Sequence, residues 1–285
     1  MRDAEIADIY GTSIPAIVVG THDQGVVAVL QPSKTGQIEV HTIDKEANTF
    51  IHEIEVGDLD NDGTLEIYAT PSEPNKLGGG SQQGSVVRYV PKQKQGRQLV
   101  ANLGNRHAKE IYVGDVDGDH RDELYVAVEA LTKQTDQGVT IVEPVEIRRF
   151  DYGTAPTSGK IVATIPDRLC RFLTVGDIDG DGQREMVAAA YRSGLWLLRP
   201  NKDPKAPWSV ENIEHESSGF EHAAIFADLD ENGRSELYVA ADEQGELRQY
   251  TWEHGKRHRE TLLRRPNPKA LITWNIVPYP ISLFD

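Results

Sequence analysis

Val56-Gly-Asp-Leu-Asp-Asn-Asp-Gly-Thr-Leu-Glu66 is followed by the apolar run Ile67-Tyr68-Ala69. Counted from its leading Asp, the stretch places carboxylates at positions one, three, five and nine: Asp58, Asp60, Asp62 and Glu66. Thr64 supplies a main-chain carbonyl at position seven. The pattern returns without gaps at Val113 to Glu123, Val175 to Glu185 and Phe226 to Glu236. The corresponding residues are Asp115, Asp117, Asp119, Arg121 (carbonyl) and Glu123; Asp177, Asp179, Asp181, Gln183 (carbonyl) and Glu185; and Asp228, Asp230, Asn232, Arg234 (carbonyl) and Glu236. An eroded fifth copy opens the chain. Asp8 leads it, but Tyr10, Thr12 and Ala16 occupy its third, fifth and ninth positions.

The leading Asp residues fall at 8, 58, 115, 177 and 228, so the period runs from 50 to 62 residues. Periods of this size suit a four-stranded propeller blade. Within a period, apolar residues alternate into the acidic loop, as at Ile54 and Val56, which is strand periodicity. A second apolar run follows the loop. Then come a Gly turn such as Gly84 or Gly194, a third strand such as 85–90, and a fourth such as 160–165. No segment carries a helical stripe. One such sheet cannot bury both faces, whereas several stacked around an axis can. The expected fold is therefore all-β: a single five-bladed propeller domain over 1–285, with blades near 1–50, 51–105, 106–167, 168–219 and 220–285. The acidic loops join first to second strands. Residues 270–277 read as one more first strand, able to latch onto the first blade.

Hard oxygens at this spacing suit calcium, which takes six to eight of them. An EF-hand would need a Glu at position twelve and flanking helices. Here position twelve is Ala69, Val126, Ala188 or Val239. About four ions are expected. The proposed carboxylate ligands number fifteen, equal in size to the net charge of −15. Without cations, like charges crowd within each loop, so stability should depend on calcium. Position six is Gly63, Gly182 and Gly233 but His120 in one copy, and Asn232 removes one charge from another. Those two sites are expected to be the weaker ones.

The combination Gly-Asp-x-Asp-x-Asp-Gly followed by Glu-Leu/Ile-Tyr resembles the FG-GAP/VCBS repeats of calcium-binding propellers, the kind found in integrin α-subunit heads and in secreted microbial proteins. The resemblance implies the propeller fold and calcium. Propellers of this kind include adhesins, glycan binders and polysaccharide lyases, so it leaves the activity open.

With 26% charged and 38% hydrophobic residues the composition is that of a globular protein, and no apolar run approaches the ~20 residues of a membrane span. The negative balance argues against nucleic acid as a partner. Cys170 alone cannot build a disulfide framework and reads as a core residue. No apolar segment follows Met1-Arg2, so a secretory signal is missing or trimmed. Calcium at sub-millimolar affinity suits an extracellular or periplasmic setting, with the cytoplasm as the alternative.

The edge opposite the acidic loops carries two expanded connections, 70–84 and 130–138. Long loops on a rigid scaffold commonly carry function. Six residues before each leading Asp lie Arg2, His52, Lys109, Arg171 and His222, with Arg106, His107, Arg168 and Trp274 near them. First strands line a propeller channel. His52, His107, Lys109, Arg168, Arg171 and His222 are therefore a candidate ring for an anionic ligand or sugar acid. The alternative is polar strand ends in water. Three functions follow: a module binding a glycan or protein, a lyase whose His abstracts a proton beside a uronate carboxylate, and a structural element of a larger assembly.

Overall fold

The structure is a computed structural model and describes residues 3–74, 80–136, 138–268 and 272–278. Among these the chain is all-β: five four-stranded antiparallel sheets, one two-stranded ribbon, and a single 3₁₀ turn at Pro91–Gln93. The first sheet is β1 (Asp3–Ala7), β2 (Ala16–Gly20), β3 (Val26–Pro32) and β4 (Ile38–Lys45). The second is β5 (Phe50–Gly57), β6 (Glu66–Ser72), β7 (Ser85–Val90) and β8 (Gln95–Asn102). The third comprises β9 (Ala108–Gly114), β10 (Glu123–Val128), β13 (Val145–Phe150) and β14 (Lys160–Ile165). Between β10 and β13 lies the ribbon of β11 (Leu131–Thr135) and β12 (Gly138–Glu143). The fourth sheet is β15 (Cys170–Gly176), β16 (Glu185–Ala190), β17 (Leu195–Arg199) and β18 (Ser209–Glu214). The fifth is β19 (Ala224–Ala227), β20 (Glu236–Ala241), β21 (Glu246–Glu253) and β22 (Lys256–Arg264). The expected class is the observed one: five blade-type sheets, each with its acidic or eroded loop between first and second strands.

The chain divides into two compact units: residues 1–115 with 119–164, and residues 116–118 with 165–285. In the first unit, one core cluster joins the first and second sheets through Val18, Val29, Ile54, Ile67 and Tyr89. Another joins the second and third through Tyr68, Val86, Ile111, Leu124 and Phe150. In the second unit, Val187, Leu197, Phe226, Leu237 and Tyr250 do the same for the fourth and fifth sheets. Burying each such side chain contributes roughly 1.5–3 kcal/mol, so face-to-face stacking is what makes each sheet stable.

The stacking also explains the residue before the leading Asp. A Cβ at Gly57 would lie 2.2 Å from a Val113 methyl, and one at Gly176 would lie 2.7 Å from Phe226. The neighbouring sheet comes too close for a side chain. The same contact is sealed by hydrogen bonds. Asp58 N–H donates to the Asp122 carboxylate at 2.8 Å, and Ser235 N–H donates to the Asp177 carbonyl at 2.7 Å. Position eight of one loop thus grips position one of the loop before it in both units.

Two local expectations need correction. The expanded 130–138 connection is not an irregular loop; with the residues after it, it folds as the β11–β12 ribbon. Its Thr132 N–H donates to Ser81 Oγ at 2.8 Å, so the two expanded connections touch. Residues 272–278 form no strand; instead Thr273 N–H donates to the Asp242 carboxylate at 3.0 Å. Arg2, and residues 75–79, 137 and 269–271 of the segments named above, lie outside the described residues.

Candidate functional site

Each acidic loop is built the same way. The leading Asp turns inward and accepts main-chain N–H groups from the far side of the loop. Asp58 accepts from Asp62 and Gly63 at 3.0 and 2.8 Å, and Asp228 from Asn232 and Gly233 at the same distances. Asp115 accepts from His120 at 2.9 Å, and Asp177 from Gly180 and Gly182 at 2.7 and 2.8 Å. The fifth-position side chain then accepts the N–H of position seven: Asp62 from Thr64, Asp119 from Arg121, Asp181 from Gln183 and Asn232 from Arg234, at 2.7–2.9 Å. Finally, Glu66, Glu185 and Glu236 accept the N–H of position two at 3.1–3.2 Å.

The result is a concentration of oxygens. Asp58, Asp60 and Asp62 bring carboxylate oxygens within 4.8 Å of one another. So do Asp177, Asp179 and Asp181; Asp228, Asp230 and Glu236; and Asp115, Asp117, Asp119 and Glu123. Glu123 and Glu236 join their clusters, whereas Glu66 and Glu185 stand outside theirs. Hard oxygens this close, on a backbone already tied in place, match the donor set that calcium takes.

The turn at position six has positive φ in every copy: +80° at Gly63, +67° at His120, +85° at Gly182 and +85° at Gly233. A Cβ at Gly63, Gly182 or Gly233 would meet nothing within 4 Å. The glycines therefore answer a conformational demand, and His120 fits because space is not limiting. Position four makes the same demand, which the sequence reading missed. Asn61, Gly118, Gly180 and Glu231 there have φ between +55° and +79°. The abundance of Asn and Gly at that position was the available signal.

On the opposite edge, the basic and His candidates fall in separate settings. In the first unit His52 Nε2 lies 3.0 Å from Ser72 Oγ, and its ring stands 5.3 Å from His22 and 5.6 Å from His107. Both His52 and His107 are buried. Arg106 is committed to structure, donating to the Glu129, Val128 and Pro144 carbonyls and to Glu143. Lys109 is partly buried on β9. In the second unit Arg171 is buried, pairs with Glu221 at 2.5 Å and stacks 5.0 Å from the Phe220 ring. Arg168 lies 5.6 Å from the Tyr191 ring. His222 is fully buried; Nδ1 donates to the Ala190 carbonyl at 2.6 Å and Nε2 faces Ser217 Oγ at 2.7 Å. Burial pulls its pKa down to about 4, so it is neutral at physiological pH. Cys170 is buried, as expected of a core residue.

The same edge of the first unit holds an open cleft of about 570 Å³. Its walls come from the β4–β5, β6–β7 and β8–β9 connections and include Asn48, Ser72, Gln83, Ser85, Asn102 and Asn105. Carboxamides and hydroxyls make up half of the lining, beside the charged Glu46, Glu73 and Arg97, so the cleft offers hydrogen-bond donors and acceptors side by side.

Among the described residues, one feature of the first unit has no counterpart in the second. Asp3 and Glu5 on β1, Glu53 and Glu55 on β5 and Glu110 on β9 form an acidic group on three first strands. Burial and then the neighbouring Glu110 charge push Glu53 well above the usual carboxylate range. Burial followed by Glu5 does the same to Glu55, and burial with Asp3 raises Glu5 to about 7. The signal was present one residue along from the basic register: five residues before the leading Asp stand Asp3, Glu53 and Glu110, against Phe172 and Ala223 in the second unit.

No helix among the described residues is long and apolar enough to cross a membrane. No curated protein matches the sequence. Among solved structures, the chain resembles the exotype rhamnogalacturonan lyase YesX at 16% identity and a TM-score of 0.43, over 80% of this chain and 46% of that one. The chain thus spans about half the length of that structure. Residues 177–239, from the leading Asp of the 177–185 loop to the end of the following loop's apolar run, match the family model described as FG-GAP-like repeat.

Proposed function

We propose that the protein is a calcium-stabilised scaffold whose opposite edge binds a glycan or protein ligand. The observation that carries the reading is the fourfold cluster of acidic oxygens, each on the connection between first and second strands. Four registered clusters at one structural position support a bound cation over solvated turns. Twenty residues are assigned to about four ions, with the position-seven carbonyls of Thr64, Arg121, Gln183 and Arg234 completing each set. In this reading calcium is a structural element that fixes the sheet edges, and the extracellular or periplasmic space is where it would be available.

The ligand reading rests on the polar cleft of the first unit. A wall of carboxamides, hydroxyls and the charged Glu46, Glu73 and Arg97 suits a hydroxyl-rich sugar better than an apolar ligand. The settings of His222 and Arg171 favour binding over turnover: both His222 nitrogens are engaged, and Arg171 is paired with Glu221. A proton-abstracting base needs a nitrogen within reach of substrate. Calcium titration of the purified chain by calorimetry tests the first half; heat for fewer than two equivalents would overturn it. A glycan array repeated with Asn102→Ala and Gln83→Ala tests the second. Binding that persists in both variants would remove the cleft from the site. Growth of unsaturated-uronide absorbance would replace the module with a lyase.

A further inference from the structure

We infer that the edge of the second unit opposite its acidic loops holds a platform for an acidic sugar, formed by Arg168, Arg171, Tyr191, Arg192 and Phe220. It is separate from the first-unit cleft and goes beyond the function proposed above. Three connections supply it: β14–β15, β16–β17 and β18–β19. The buried Asp167 carboxylate ties the first two together, accepting the N–H groups of Arg168, Arg192 and Ser193 at 2.6, 2.7 and 2.6 Å. Tyr191 N–H donates to the Leu169 carbonyl at 3.0 Å. Gly219 N–H donates to the Tyr191 carbonyl at 3.2 Å, which laces the third connection to the second directly before Phe220. A surface fixed by its own backbone loses little freedom when a ligand lands on it.

The side chains form one connected group. Arg168 and Arg192 place their guanidinium carbons 5.6 and 4.9 Å from the Tyr191 ring centre, and Arg192 also donates to the Tyr191 hydroxyl at 3.3 Å. Tyr191 meets Phe220 edge to face, with ring centres 6.3 Å apart. Arg171 lies 5.0 Å from the centre of the Phe220 ring. In a chain of net charge −15, among the described residues no carboxylate pairs with Arg168 or Arg192. Arg192 feels the charges of Glu243 and Asp167, but Asp167 accepts main-chain N–H groups and Glu243 accepts the Ser218 hydroxyl. Arg171 is 3% exposed; its Nη2 pairs with Glu221, while Nε and Nη1 have no hydrogen-bond partner among the described residues. Unmet donors on a buried guanidinium cost free energy, and an acidic oxygen passing beside the Phe220 ring would meet them. Guanidinium forks match the two oxygens of a carboxylate. Phe220, 48% exposed, offers a flat apolar surface for the C–H face of a sugar ring. That combination suits a uronate better than a neutral sugar or a bare inorganic anion.

Calorimetry of the full chain in saturating calcium tests this, with trisaccharides of mannuronate, galacturonate and glucuronate, their methyl esters, and sulfate as probes. At least one acidic trisaccharide should bind, and its methyl ester should bind at least ~10-fold more weakly, because the ester lacks the charge the arginines meet. Arg168→Gln with Arg192→Gln should weaken the acidic sugar ~10-fold or more, whereas Lys202→Gln with Lys256→Gln, which removes two charges on the acidic-loop edge, should not. Phe220→Ala, at an exposed site, should weaken the sugar and leave sulfate unaffected. Binding that survives the double Arg substitution would place the sugar elsewhere, overturning the inference while sparing the first-unit cleft. Equal binding of the ester, sulfate binding as tight as the sugar's, or no binding by any of the three acidic trisaccharides would each overturn it as well.

Discussion

In the 8–16 loop, Asp8 accepts the N–H groups of Thr12 and Ser13 at 2.8 and 2.6 Å. In the 58–66 loop, Asp58 accepts those of Asp62 and Gly63 at 3.0 and 2.8 Å. Positions four and six are left-handed in both: Gly11 at +66° and Ser13 at +62°, Asn61 at +55° and Gly63 at +80°. The two loops share one backbone and differ in chemistry. Tyr10, Thr12 and Ala16 supply no carboxylate, yet the turn survives. The comparison separates two roles that the sequence motif merges. The leading Asp and the two left-handed residues shape the loop. The acids at three, five and nine give it the oxygens for an ion.

The largest effect should come from removing metal. On the calcium reading, chelation lowers the melting temperature by more than ~10 °C, because a ligand held only by the folded state stabilises by mass action. Calorimetry with and without chelator reads this; an unchanged curve would leave the acidic loops as bare turns. Next, Asp58→Ala and Asp8→Ala should both lower the melting temperature by a few degrees in chelator, since each frees two loop N–H groups. Only substitutions at acids of the intact loops should change the calcium count. Conversely, Tyr10→Asp with Thr12→Asp rebuilds the three-Asp set on a backbone already formed. Dialysis should then show one additional calcium equivalent.

A smaller effect separates the two units. Glu5, Glu53 and Glu55 hold protons more tightly in the folded state than their ordinary range allows. Their contribution is full below the unfolded value of 4.5 and is lost as pH rises through about 7 for Glu5. In saturating calcium, stability should therefore fall between pH 5 and pH 8. Glu55→Gln should flatten that slope, while Thr174→Val, at the matching place in the second unit, should leave it unchanged. The smallest expected effect is at position four of the last loop. Glu231→Gly relieves a positive φ at an exposed site and should stabilise by ~0.5–1 kcal/mol in urea unfolding.

Much of this was legible in the chain itself. The spans 85–90 and 160–165 read as strands and are β7 and β14. The run Lys256-Arg257-His258-Arg259 reads as a charged outer edge and opens the exposed β22. What escaped depended on partners distant in sequence. Arg168 and Arg192 look like ordinary turn residues until their connections meet around Tyr191. The acids at 3, 53 and 110 are scattered until three first strands stack. The 131–143 ribbon was hidden because its hydrophobic pattern is exposed and weak: Ile141 and Val142 remain accessible.

The repeat alone determined the blade count, the strand order and the places where oxygens gather, because these follow from local periodicity and from a turn that encodes itself. Tertiary structure decided which charges meet a partner. Whether a carboxylate faces solvent, a neighbouring acid or a buried guanidinium depends on sheet register and stacking, and a loop motif carries no information about either.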